Sequence, residues 1–205
     1  MLRRSKGEQI DGLWIGAFDD NPEPILHRLR EALQLIEAYD PSRYSRLRRD
    51  LERVWVCGRA PYRGSYNSRL DACELDKEFV LAETPELLAS VIVHEATHAR
   101  LRGCGIGNEE WIRPRIEAIC VRRELAFTAK LPNGQRAHEW ARQKLAWCKA
   151  ENLSDAARAK RDDDWYPEEF RRLGAPHWIV CAIFAFVCLV RLARIAIGNP
   201  LSKTR

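Results

Sequence analysis

Apolar residues recur every three or four positions in two stretches near the start of the chain. The first stretch covers residues 25–39, and the second begins near Ser42. This period is typical of amphipathic α-helices. The polar face of the second helix is rich in arginine. We favour a solvated surface there over a contact with phosphate, because no aromatic residue lies among the arginines on that face and no known nucleic-acid motif accompanies them.

Between residues 54 and 83 the pattern changes to short apolar runs separated by glycine and proline. These runs include Val54-Trp55-Val56 and the β-prone segment Phe79-Val80-Leu81. Short strands joined by turns have this texture. We therefore expect a small sheet ahead of the central helix. A strand over residues 78–82 could offer its edge to an extended peptide.

A strongly apolar helix is predicted to follow this sheet. Thr84-Pro85-Glu86 combines a capping hydroxyl, a proline at the first helical position and an acid in the first turn, and Gly103 supplies the stop. Inside the helix lies the motif His94-Glu95-Ala96-Thr97-His98. Two imidazoles four residues apart share one face and can chelate a single Zn²⁺, while Glu95 can reach a water bound to that metal.

A catalytic zinc ion usually takes a third protein ligand and leaves one position for water. A further helix opens at Pro114, and it carries Glu117 and Glu124 on an apolar face. A buried carboxylate needs a cation or hydrogen bonds. The glycine-rich loop after Gly103 is long enough to turn the chain back, so that the two helices pack antiparallel. We therefore expect Glu117 to be the third ligand.

Nearby residues leave alternatives open. Glu124 could ligate the metal, pair with an arginine or, in the role that we prefer, orient a histidine. Glu109 and Glu110 are expected to be exposed at a helix N-terminus. Cys120 or Cys104 could instead fill the fourth metal position, which would make the site structural and exclude hydrolysis.

The motif resembles that of the gluzincin metallopeptidases. His94-Glu95-x-x-His98 is followed, after 18 intervening residues, by Glu117. The resemblance implies that His94, His98 and Glu117 bind zinc and that Glu95 is the catalytic base. It covers only residues 94–117. Val121 stands where thermolysin-like members carry an Asp that holds a zinc histidine, so this chain must orient its histidine differently.

The chain as a whole has the composition of a soluble globule, with 205 residues, 46% hydrophobic and 31% charged. We expect an α+β fold in which residues 1–164 form a mostly helical, zincin-like domain with a small sheet before the motif helix. The acidic run Asp162-Asp163-Asp164 is interpreted as an exposed connector to a tail over residues 165–205. The net charge of +5 is spread along the chain, so nucleic acid is not an expected partner.

The tail contains an apolar segment. Residues 173–190 include no Asp, Glu, Lys or Arg. We expect a C-terminal apolar helix at about residues 177–197 that anchors the protein in a membrane. The alternatives are a buried helix or an oligomer contact. The seven cysteines form no CxxC pair, which favours reduced thiols and a cytoplasmic catalytic domain, anchored to the inner face of a membrane.

The function expected from these features is that of a zinc-dependent metallopeptidase acting on peptide or protein substrates. Zinc would lower the pKa of its bound water to about 7, and Glu95 would accept the proton as hydroxide attacks the carbonyl. The alternative is a non-catalytic protein with a structural zinc site, acting as a membrane-tethered or basic interaction module.

Overall fold

The described chain is mostly helical and carries a small mixed sheet, in agreement with the predicted α+β class. The computed structural model describes residues 5–58, 62–172 and 174–196, and the side chains of 150, 151 and 188–196 are outside that description. The strands are β1 (Lys6–Ile10), β2 (Leu13–Ala17), β3 (Arg53–Cys57), β4 (Gly64–Asn67) and β5 (Ala72–Asp76). The helices are α1 (Glu23–Tyr39), α2 (Pro41–Asp50), α3 (Lys77–Ala82), α4 (Pro85–Gly103), α5 (Arg113–Thr128), α6 (Gln135–Trp147), α7 (Ala150–Leu153), α8 (Asp155–Arg172) and α9 (His177–Ala196).

A hairpin that we did not predict opens the sheet. β1 and β2 pair antiparallel, with Ile10 opposite Leu13. The two residues between them, Asp11 and Gly12, have φ angles of 50° and 87°. Positive φ at both central positions gives the tight turn that best matches the twist of a hairpin, and Asp-Gly is a preferred sequence for it. The sheet therefore begins well before the region in which strands were expected.

The strands lie in the order β1-β2-β3-β5-β4. β3 is parallel to both β2 and β5, whereas β1 and β4 run antiparallel to their neighbours at the two edges. Helices α1 and α2, at the predicted positions, connect β2 to β3. One apolar core joins the central strands to α1 and α4 and includes Ile15, Leu29, Val54, Leu75 and Ile92. This core holds the motif helix against the sheet.

The strand predicted over residues 78–82 is wrong, because this segment is the helix α3. Asp76, the last residue of β5, accepts a hydrogen bond from the backbone nitrogen of Phe79 at 2.7 Å. This cap starts the helix directly after the strand. The capping interaction outweighs the β propensity of Phe79, Val80 and Leu81. The sheet edge next to the motif helix belongs instead to β4.

The chain forms two compact units, Met1–Asp155 and Ala156–Arg205. Asp162-Asp163-Asp164, which we interpreted as a connector, lies inside α8 instead. In the second unit, Gly174 has a φ of 82° and its backbone nitrogen bonds to the carbonyl of Arg171, which closes the end of the helix. The rings of Phe170 and Phe184 then meet edge to face with their centres 6.4 Å apart.

The predicted C-terminal helix forms as α9, within the expected range. None of the helices in the described residues, however, is both long and apolar enough to cross a bilayer. The prediction of a membrane-anchoring segment is thus not supported, and its last residue, Ile197, lies outside the described residues. The cysteines with described side chains carry free thiols: Cys57, Cys73, Cys104, Cys120, Cys148 and Cys181.

Asp40, at the junction of α1 and α2, contacts Lys130, which lies just after α5. Its buried carboxylate caps α2 by accepting a hydrogen bond from the backbone nitrogen of Arg43. It also accepts hydrogen bonds from the guanidinium of Arg43 at 2.9 Å and from the ammonium of Lys130 at 2.8 Å. Burial alone would raise the pKa of this carboxyl. The Lys130 ammonium, the Arg43 guanidinium and the Ser42 hydroxyl outweigh burial and hold the pKa well below its usual range.

Asp40→Asn should therefore lower the free energy of unfolding by about 1 to 3 kcal/mol at neutral pH. Asn can keep the helix cap but not the charge. A depressed carboxyl pKa stabilises the fold above the pKa of the unfolded state, about 3.9, and this stabilisation is lost as the pH falls. In urea titrations, the difference between wild type and variant should be constant above about pH 5 and shrink below about pH 4. The exposed Asp20→Asn should show neither effect, and a difference that does not change with pH would contradict the assignment.

Candidate metal centre

The motif helix α4 is buried along most of its length, which is why its histidines lie inside the protein. It begins where predicted, with Thr84 Oγ1 accepting a hydrogen bond from the backbone nitrogen of Leu87 at 3.3 Å, and it ends at Gly103. His94 is only 1% exposed and Glu95 only 4% exposed. Polar groups at such depth require partners.

Helix α5 supplies these partners. Ser90, in the first half of α4, contacts Glu124, in the second half of α5. His98, further along α4, contacts Glu117, near the start of α5. The two helices therefore pack antiparallel, as the length of the loop between them suggested. This arrangement brings the acidic residues of α5 against the motif.

The side chains of His94, His98 and Glu117 converge between the two helices. The Nε2 atoms of the histidines lie 3.2 Å apart. Glu117 Oε2 is 3.3 Å from His94 Nε2, and its Oε1 is 3.3 Å from His98 Nε2. Electron-pair donors this close to one another repel unless a proton or a metal ion lies between them. The three residues predicted as ligands are thus brought together in a group that could hold a metal ion.

Cys120 offers a second possible ligand from α5. It is fully buried. Its Sγ atom, one ring nitrogen of His94 and one ring nitrogen of His98 all lie within 4.8 Å of one another. Burial raises the pKa of this thiol, and the negative charges of Glu117 and Glu95 raise it further. The thiol therefore keeps its proton unless a metal displaces it. Two candidate ligands, Glu117 and Cys120, thus occupy successive turns of one helix.

Glu124 holds the ring of His94 in place. This fully buried carboxylate lies 3.1 Å from His94 Nδ1 and accepts a hydrogen bond from Ser90 Oγ at 3.2 Å. A carboxylate beside Nδ1 favours the tautomer with the proton on Nδ1 and the lone pair on Nε2. The structure places Glu124 where the orienting role requires it, one turn beyond Val121.

The charges of the centre attract cations. Three carboxylates, on Glu95, Glu117 and Glu124, face one ammonium, on Lys144, so two negative charges are uncompensated when the imidazoles are neutral. Burial and Lys144 lower the pKa of His94, but the three carboxylates outweigh them and raise it to about 9. Burial likewise opposes ionisation of Glu117, but the two histidines hold its pKa well below the usual range. The metal-free centre therefore takes up a proton, which a metal ion must displace.

Glu95 lies beside the edge strand β4. A Cβ atom added to Gly64 would stand 3.5 Å from Glu95 Cγ and 2.6 Å from Val91 Cγ1, so the strand and α4 are in close contact. Among the residues that the structure describes, none donates a hydrogen bond to the Glu95 carboxylate. Its oxygens are therefore available to a water molecule or a substrate.

Lys144 belongs to the same cluster, although we did not identify it from the sequence. Its Nζ atom lies 3.3 Å from both ring nitrogens of His94 and 3.9 Å from Glu124 Oε2. The side chain comes from α6, which packs on α5, and is about one quarter exposed. A lysine on an amphipathic helix ordinarily faces solvent, so its local sequence gives no sign of this position.

The remaining candidates lie apart from the cluster. Glu110 is exposed and accepts a hydrogen bond from the backbone nitrogen of Asp155 at 3.1 Å. Glu109 is exposed near Gly107, and Cys104 is exposed at the end of α4. These positions agree with the expectation that Glu109 and Glu110 are surface residues.

Known proteins offer no further guide to the centre. No protein-family model matches the sequence, and no curated protein or solved structure was found to be similar to it. A functional assignment therefore depends on the residues of the centre and their geometry.

Proposed function

We propose that this protein is a zinc-dependent metallopeptidase in which His94, His98 and Glu117 hold the zinc ion and Glu95 is the general base. The spacing of the ligand atoms carries the proposal: 3.2 Å between the Nε2 atoms and 3.3 Å from each of them to a Glu117 oxygen. A tetrahedral ion with bonds of about 2.0 to 2.1 Å separates its ligand atoms by about 3.3 to 3.4 Å. The separations observed here, with a different Glu117 oxygen facing each histidine, are close to this value and support zinc as the ion.

The chemistry of the donors agrees with this choice of metal. Two imidazoles and one carboxylate are the ligand set of several catalytic zinc sites, in which the fourth position is left to water or substrate. The two uncompensated negative charges of the centre match the charge of a divalent cation. Glu124 adds the carboxylate that typically fixes a zinc-binding histidine from behind.

Glu95 is suited to move the proton. Zinc would supply a Lewis acid that acidifies water and polarises the scissile carbonyl. Glu95 adjoins the ligand His94 in sequence, is buried, and receives no hydrogen bond from the described residues. Its carboxylate takes a proton from the attacking water and later delivers it to the leaving nitrogen.

An extended peptide is the substrate that the surroundings favour. β4 lies at the edge of the sheet, and Gly64 places that edge next to Glu95. An extended chain can add to such an edge through backbone hydrogen bonds, which bind a peptide with little dependence on its side chains. β4 thus takes the role that we had assigned to residues 78–82.

Removal and return of the metal test the proposal. The purified full chain should contain about one zinc ion per molecule and cleave members of a peptide library or casein. Dialysis against a chelator should abolish cleavage, and one equivalent of zinc should restore it, because Glu95 alone cannot supply the Lewis acid that acidifies the water and polarises the carbonyl. Metal content is measured by mass spectrometry and cleavage by chromatography of the products. Stoichiometric zinc with no peptide cleaved would contradict the peptidase assignment.

A structural zinc site is the second candidate, and the position of Cys120 favours it. If its thiolate joined both histidines and Glu117, the four ligands would close the tetrahedron and leave no position for water. The protein would then bind zinc without hydrolysing anything. The two candidates differ in whether loss of Cys120 affects zinc affinity.

A further inference from the structure

We propose that Lys144 is a catalytic residue that binds the negatively charged oxygen of the tetrahedral intermediate. The inference rests on the proposed peptidase function and adds to it the group that neutralises the developing oxyanion. A donor aimed at that oxygen commonly provides one of the largest contributions to catalysis of acyl transfer.

The position of Lys144 suits this role. Lys144 Nζ lies 3.3 Å from His94 Nε2, the atom assigned to the metal. An oxygen that shares the metal with Nε2 would lie about 3.3 Å from that nitrogen. The ammonium and the oxygen are then neighbours of the same atom, which permits a hydrogen bond between them when they lie on the same side of that atom. The one-quarter exposure of the side chain leaves it room to adjust.

The Lys144 ammonium has three hydrogen-bond donors to satisfy. Glu124 engages His94 Nδ1, and its nearer oxygen is 3.9 Å from Nζ, too far for a hydrogen bond. With Nδ1 engaged by Glu124 and a metal ion on Nε2, this ring offers Lys144 no acceptor. Lys144 then has free donors and a strong preference for an anionic oxygen.

In the proposed reaction Glu95 moves the proton and Lys144 stabilises the oxyanion. Glu95 accepts one proton from water while the water oxygen bonds to the carbonyl carbon, and the π-electron pair moves onto the carbonyl oxygen. Lys144 donates a hydrogen bond to this oxyanion. The pair then reforms the carbonyl, the carbon–nitrogen bond breaks, and Glu95 gives its proton to the departing amine.

A purely structural lysine would show a different pattern of contacts. Glu124 has His94 Nδ1 at 3.1 Å and Ser90 Oγ at 3.2 Å, a hydroxyl that it shares with the carbonyl of Leu87, whereas Lys144 Nζ at 3.9 Å is too far to donate to it. An ammonium placed near a zinc site also weakens cation binding. Replacement of Lys144 should therefore leave metal binding intact or improve it.

Binding of acetohydroxamate to the cobalt(II)-loaded protein tests the inference without requiring turnover. Its deprotonated hydroxyl oxygen and its carbonyl oxygen bind the metal, and the visible spectrum of cobalt reports the dissociation constant. We expect Lys144→Met to raise that constant about 10- to 100-fold, the usual effect of losing a hydrogen bond to a charged group. Lys144→Arg should have a smaller effect because it keeps the charge. Lys149→Met, which removes an exposed lysine close by in the chain, should have none.

The possible results distinguish failure of the Lys144 role from failure of the peptidase proposal. Equal affinity in wild type and Lys144→Met, or loss of cobalt from Lys144→Met, would overturn the role of Lys144 while leaving the peptidase proposal untouched. Failure of acetohydroxamate to bind wild type would show a closed metal site and would overturn both. Weaker binding in Lys144→Met, with peptide cleavage reduced in kcat and not in KM, supports both. Weaker binding without any cleavage by wild type supports an anion-binding lysine and contradicts the peptidase.

Discussion

Glu95→Gln should reduce the rate of peptide cleavage by about 100- to 10,000-fold and leave the zinc content at one ion per chain. The substitution keeps the size and shape of the side chain but removes the oxygen that accepts the proton, and general-base catalysis commonly contributes this much. Glu95 belongs to the motif but is not a proposed ligand, so the metal should stay. Single-turnover kinetics with metal analysis of the same sample measures both quantities.

A matched control comes from the same helix. Glu86, in the first turn of α4, is two turns before the histidines and only partly buried, so Glu86→Gln should cleave at the wild-type rate. Full activity in Glu95→Gln would refute its role as the base. Loss of zinc from that variant would instead make Glu95 part of the metal site and require a different assignment of ligands.

Glu117→Gln should weaken zinc binding by more than 100-fold, whereas Cys120→Ala should change it little. Loss of a residue that only orients a ligand lowers metal affinity by about 10- to 100-fold. Removal of a ligand itself should lower the affinity by more than this. Zinc affinity is measured by competition with a chromophoric chelator. The cobalt(II) form adds a direct test, because a thiolate ligand gives an intense charge-transfer band that imidazole and carboxylate ligands do not.

The structural-site candidate predicts the opposite result for the thiol. A charge-transfer band in wild type that Cys120→Ala abolishes, together with a large loss of affinity, would assign Cys120 to the metal and close the site to water. Cys73→Ala is the appropriate control, since Cys73 is also fully buried but lies in β5. It should leave both the spectrum and the affinity unchanged.

The sheet illustrates what sequence patterns can and cannot show. The hairpin before residue 18 was missed, although Asp11-Gly12 between apolar residues is a strong hairpin signal. The error over residues 78–82 has a different cause. Whether a short β-prone run forms a strand depends on space in the sheet and on the cap that precedes it, and Asp76 starts a helix there.

The centre shows the same division between local and distant determinants. Thr84 and Gly103 mark the ends of α4 as expected, because capping depends on residues adjacent in sequence. The placement of Glu117 opposite His98 followed from the length of one loop and the apolar face of α5. Lys144, by contrast, reaches His94 only through the packing of α6, and no pattern within α6 distinguishes this lysine.

The sequence by itself determined the motif helix, its two imidazoles on one face and the acid next to them, since helical spacing is a property of the backbone alone. It also indicated which carboxylates of the next helix would be buried. Only the tertiary structure decided that Glu124 engages His94, that the Cys120 thiol lies beside the two histidines, that β4 forms an edge of the sheet and that an ammonium enters the cluster. These relations join segments far apart in the chain, and their distances depend on how whole elements pack.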